Sequence, residues 1–131
     1  MTSQAEALRE ARRRELAIRE ALRRIGVLRA RLRRRAHCVP RGLPEAIAAA
    51  ERACDAMIDA AIDARPHLQR LLSELEPSQV AILEARYLRA RSWQAIAQEQ
   101  SYSLRWVHEI HARGMRPVSY THLTLPTKRI V

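Results

Sequence analysis

Apolar residues recur every three or four positions along most of this chain, the period of a helix with one buried face. Over residues 3–36 the stripe runs Ile18, Leu22, Ile25, Leu28 or Arg29, and Leu32, and Leu8 and Ala11 extend it backwards. This predicts one long helix, supported by the Glu15–Arg19 and Glu20–Arg24 pairs four apart and weakened at Gly26 by about 1 kcal/mol relative to Ala. Residues 39–44, VPRGLP, break it, and Pro44 suits the first turn of the next helix. From there to Ala64, Ile47, Ala50, Cys54, Met57 and Ala61 alternate spacings of three and four, a heptad seam of about two and a half repeats. Its simplest partner is the first helix, in an antiparallel hairpin, and the seam also allows a homodimer. Glu51, Asp55, Asp59 and Asp63 lie four apart, an acidic row available to the arginines of the first helix or to solvent.

Pro66 is expected to end or kink that helix at Arg65. Leu68, Leu71, Leu72 and Leu75 then predict a short amphipathic helix. Pro77 fits the first position of another, running to about Ala90 with Val80, Leu83, Tyr87 and Leu88 as its apolar contacts. Residues 92–115 predict a helix-turn-helix: a short helix to about Gln100, a tight turn, and a second helix beginning at Ser103. Ala97 permits close crossing, Val107 and Ile110 make the inward stripe, and Ile96 and Tyr102 close the same core. Ser103 is a natural N-cap. Ser101 stands in the turn, where Gly or Asn would adopt positive φ at less cost. No stretch before residue 117 reads as a strand, so the expected class is all-α.

Charge adds a partner class. The chain has 131 residues and a formal net charge of +10, with 23 of its 24 basic residues arginine. Residues 1–42 hold thirteen Arg against four Glu, whereas residues 43–116 hold nine Arg against ten acids. A basic half beside a near-neutral half points to a polyanion, most simply nucleic acid. Cys38 and Cys54 match no zinc spacing, and their helical contexts suggest small buried thiols in a reduced, cytoplasmic protein. No apolar run reaches the length of a membrane span, and no signal peptide is evident. No phosphate-cradling Gly loop and no nucleophile–base constellation occurs, so an enzyme is not expected, nor a cofactor. His108 and His111 lie three apart on a helix, but no third metal ligand accompanies them.

The stretch LEPSQVAILEARYLRARSWQAIAQEQSYSLRWVHEIHARGM, residues 75–115, resembles the DNA-binding C-terminal region of sigma factors. It is most similar to small sigma-like proteins of phages and prophages, including late-gene transcription activators. The resemblance rests on "EARYL", "SWQAIA", "YS" and "V-HEIHARGM" and covers about a third of the chain. It implies that the "SWQAIA" helix crosses the DNA backbone and that the helix after "YS" enters the major groove. Leu104, Arg105, Trp106, His108 and Glu109 would then face DNA, with Ser103 at the entry. Leu104 and Trp106 are apolar where polar base-readers are more usual. Arg105 is the best base-reading candidate, because Arg on guanine O6 and N7 is the commonest specific contact. Arg86, Arg89, Arg91 and Arg113 suit phosphates, which fix register without reading sequence.

The tail differs from all of this. Residues 117–127, PVSYTHLTLPT, resemble the translated end of a transposase-based sequencing adapter, so the natural reading frame is expected to stop near Arg116. The expected organisation is therefore an Arg-rich helical hairpin at 1–65, a sigma-like helix-turn-helix domain at 66–116, and a tail at 117–131 without a role. The expected function is sequence-specific binding of double-stranded DNA in phage or prophage transcription control, with RNA polymerase as a further partner. The alternatives are a small terminase-like DNA-packaging protein and a helical interaction module that docks on RNA polymerase.

Overall fold

The structure, a computed structural model, describes residues 3–115. These are helical, with no strand among them. The helices are α1 (Gln4–Arg34), α2 (Leu43–Leu72), α3 (Pro77–Leu83), α4 (Trp93–Gln100) and α5 (Leu104–Gly114), with a π-helical turn at Glu84–Leu88 after α3. The expectation for residues 117–131 lies outside the described residues.

Two compact units can be distinguished. Residues 13–67 form one, and residues 3–12 together with 68–115 form the other. In the first, Ile18, Ile25 and Cys54 are buried together, with Ala21, Ala50, Met57, Ile58 and Ala61 packed against them. The seam expected on α2 thus meets the stripe expected on α1. Glu51, the first of the acidic row, pairs with Arg29, while Asp55, Asp59 and Asp63 are exposed. Glu15 pairs with Arg19 at 3.4 Å as the spacing suggests. Glu20 instead takes Arg23, at 2.6 Å, in place of Arg24. Gly42 precedes α2 at φ +80°, a left-handed turn position at which glycine bears no steric cost.

In the second unit Ser3 starts α1, its Oγ accepting the Glu6 N–H at 3.1 Å. Leu8 is fully buried and Ala11 nearly so. The sequence assigns these residues to the hairpin, and they fall in the compact unit of the C-terminal elements. Leu68 and Leu72 are likewise buried here.

Three expectations need correction. Pro66 does not end a helix: α2 continues through it to Leu72. Proline removes one ladder hydrogen bond and crowds a carbonyl, at about 3 kcal/mol, and burial of Leu68 and Leu72 just beyond it offsets that loss. The helix begun by Pro77 does not stay α-helical to Ala90. It changes at Glu84 to the wider π ladder, with Arg89 N–H on Glu84 C=O at 2.9 Å, and ends at Ala90 with φ 52°. Finally, Cys54 is buried as expected, but Cys38 is exposed beyond the end of α1.

Candidate nucleic-acid interface

Two serines fix the start of α4 and α5. Ser92 Oγ accepts the Ala95 N–H and Ser103 Oγ accepts the Trp106 N–H, each at 3.1 Å. Both have extended backbones suited to an N-cap, so each satisfies a first-turn donor that has no partner within its helix. Between them Ser101 closes α4 in the left-handed region, at φ 58° and ψ 38°. For an L-residue other than glycine this conformation costs roughly 1 kcal/mol. Tyr102 N–H reaches back to the Ala97 carbonyl at 2.9 Å, which satisfies one of the last carbonyls of α4.

The core beneath this bend contains Ile82, Ala85, Ile96, Val107 and Ile110, with Trp93, Ala97 and Tyr102 packed on its edge. Ile82, Ile96 and Val107 have no exposed surface. Gly114 allows the end of α5 to lie close to α3, since a Cβ there would stand 3.1 Å from Leu83 Cδ1.

With Val107 and Ile110 turned inward, the other side of α5 faces out. Ser103, Leu104, Arg105, Trp106, His108, Glu109 and Arg113 are all exposed. Leu104 and Trp106 retain 43% and 39% of their accessible surface. Arg113 lies over the Trp106 ring, 5.3 Å from its centre, so one edge of the face is a cation on an aromatic plane. Arg89 and Arg91 are exposed before α4. Arg91 is engaged by Glu99 across α4, and Arg86 is half-buried with its guanidinium 4.2 Å above Trp93.

No protein family, curated protein or solved structure compared with the chain matches it.

Behind the exposed face lies a cluster of rings. Trp93 meets His108 at 4.4 Å and His111 edge-on at 4.8 Å between centres. His111 stacks on Tyr87 at 5.7 Å, and its Nε2 is 2.7 Å from the Tyr87 hydroxyl. Burial holds the His111 pKa below its ordinary value, and nearby His108, Arg86 and Arg9 add to the effect. A neutral ring keeps one donor and one acceptor nitrogen, and the Tyr87 hydroxyl can serve Nε2 in either role. Burial likewise raises the Tyr87 pKa, against the opposing pull of Arg86, Arg9 and Arg12. The two histidines are thus committed to aromatic neighbours, and no group of three or more metal-binding side chains occurs among the described residues.

Sequence reasoning passed over Arg9 and Arg12. Arg12 Nη1 donates to the Arg86 carbonyl at 2.8 Å and to the Arg91 carbonyl at 3.4 Å. Arg86 Nη1 donates to the same Arg91 carbonyl at 3.2 Å. Two cations therefore cap the carbonyls at the end of the π turn, where the chain bends into α4. No local spacing signals a contact 74 residues apart.

Proposed function

We propose that this chain is a sigma-like helix-turn-helix protein that binds double-stranded DNA sequence-specifically in transcription control, of the phage or prophage type. α4 and α5 are its helix-turn-helix, and the Arg-rich helices α1 and α2 serve oligomerisation or backbone contact. The single observation that carries this reading is the outward side of α5, where Arg105, Trp106, His108, Glu109 and Arg113 are exposed on a helix whose inner side is buried. That pattern suits a helix lying in a major groove. Arg105, near its N-terminus, reads guanine, while Arg113 and Arg89 contact phosphate. No catalytic role is assigned to any residue. A dimer would offer two such helices to half-sites about one DNA turn apart.

The exposed Leu104 and Trp106 favour a second reading, in which the same face docks on RNA polymerase. Selection of bound duplexes from a random pool separates the two. The DNA reading expects a defined site, and Arg105→Ala is expected to lose about 5- to 150-fold in preference for one guanine, the equivalent of ~1–3 kcal/mol. Affinity should also fall steeply with salt as phosphate counterions are released. Absence of duplex binding at low salt would refute the DNA reading and leave the docking one.

A further inference from the structure

The heptad seam on α2 is occupied inside the chain, with Cys54 buried against Ile18 and Ile25. A second copy therefore needs a different surface. Beside the seam runs a groove lined by Leu22, Arg29, Glu51, Asp55 and Ile58, with Ile25 and Cys54 beneath. Leu22 is 52% exposed, and Ile62, one turn beyond Ile58, is 59% exposed. Gly26, one turn beyond Leu22, faces open space: a Cβ there would meet nothing within 4 Å. An apolar stripe with a gap for close approach thus lies along both helices, beside the buried Ile18, Ile25 and Cys54.

We propose that this groove is covered by the same groove of a second copy of the chain, giving an antiparallel four-helix bundle with its two-fold axis parallel to the helices. Charge selects the axis. The α1 rim is basic at Arg29, and the α2 rim is acidic at Glu51 and Asp55. A two-fold across the helices would set α1 on α1, cation against cation. A two-fold along them sets each α1 on the α2 of the other copy. Ion pairing aligns Arg29 with Glu51 within one chain, so residues at that level meet across the axis. Leu22 then faces Ile58 of the second copy, and Arg29 reaches about one turn along the helix to its Asp55. Among the described residues Asp55 has no ion-pair partner in its own chain and is exposed. The groove offers itself to an identical groove, as an isologous interface requires.

This inference rests only on the dimeric part of the function proposed above. It is tested on the full chain by sedimentation equilibrium over a wide concentration range, with circular dichroism as the check on folding. The expected mass rises to twice 15.1 kDa. Leu22→Glu should remain helical and monomeric. Asp55→Arg should dimerise roughly tenfold less tightly, because like charges then face each other. If Leu22→Glu loses helicity, Asp55→Arg alone decides. A monomer at every concentration overturns the dimer and its surface together. A dimer indifferent to both variants overturns the surface alone. A tighter dimer in Asp55→Arg overturns the axis, and a ring-sized mass overturns the two-fold. DNA binding measured on the monomeric Leu22→Glu variant reports separately on the DNA reading.

Discussion

Replacing Ser103 separates what holds α5 in place from what α5 does. Its Oγ accepts the Trp106 N–H at 3.1 Å from an extended backbone of φ −71° and ψ 154°. Ser103→Ala leaves that donor to water and should cost about 1 kcal/mol. In a unit of this size that corresponds to a fall of roughly 4–8 °C in Tm. Ser103→Asp keeps an acceptor in the same place and adds a negative charge at the positive end of the α5 dipole, an added ~0.3–1 kcal/mol. Its Tm should equal or exceed that of the wild type. The same charge opposes DNA phosphates if the start of α5 approaches a duplex, so Ser103→Asp should bind DNA more weakly despite its stability. Thermal melting followed by circular dichroism reads the first effect, and fluorescence anisotropy with labelled duplex reads the second. Ser92→Ala is the control, since it removes the equivalent cap of α4 and should destabilise to a similar degree. An unchanged Tm in Ser103→Ala would refute the capping argument. Wild-type DNA affinity in Ser103→Asp would refute the approach of this helix end to phosphate.

Two further outcomes follow from buried groups and from the backbone. Burial lowers the His111 pKa below 6.5, so the unfolded chain binds a proton that the folded chain refuses. Stability should therefore be constant above the ordinary histidine range and fall as the pH drops below it; thermal melts of His111→Gln should lose that part of the slope, and an unchanged slope would assign it elsewhere. Pro66→Ala restores the missing N–H to the α2 ladder and removes the ring clash, a gain of ~3 kcal/mol less about 0.4–1 kcal/mol for the freer unfolded chain. Urea denaturation should show stabilisation by about 2 kcal/mol, and destabilisation would mean that the helix depends on the proline.

Where a side chain's role depends on its near neighbours in sequence, the sequence revealed it. The N-cap at Ser103 and the shared core of Ile96, Val107 and Ile110 follow from period and from one hydroxyl. Ser101, noted as a costly residue for positive φ, adopts it where it closes α4. Pro66 shows the opposite case. Local preference argues for a stop there, and the burial of Leu68 and Leu72 outweighs it. The π turn at Glu84–Leu88 is likewise not legible locally: nothing in the spelling of EARYL distinguishes it from an ordinary helical turn.

The arginines show why composition alone overstates a polyanion surface. The formal charge of +10 suggests many cations free for phosphate. Arg12 instead caps two carbonyls, Arg86 covers Trp93, Arg91 holds Glu99 and Arg29 holds Glu51. Each of these contacts orients a guanidinium toward its own chain. A phosphate could recruit one only by competing with a bond already made or by accepting a fixed direction. The exposed face of α5 adds Arg105 and Arg113, the latter steadied on Trp106. On the proposed DNA reading, the number of phosphates neutralised should therefore be set by geometry around α4 and α5, well below the number of arginines. A salt dependence as steep as the whole charge implies would require the Arg-rich α1 to join the interface, whereas a shallow one would confine the contact to the C-terminal unit.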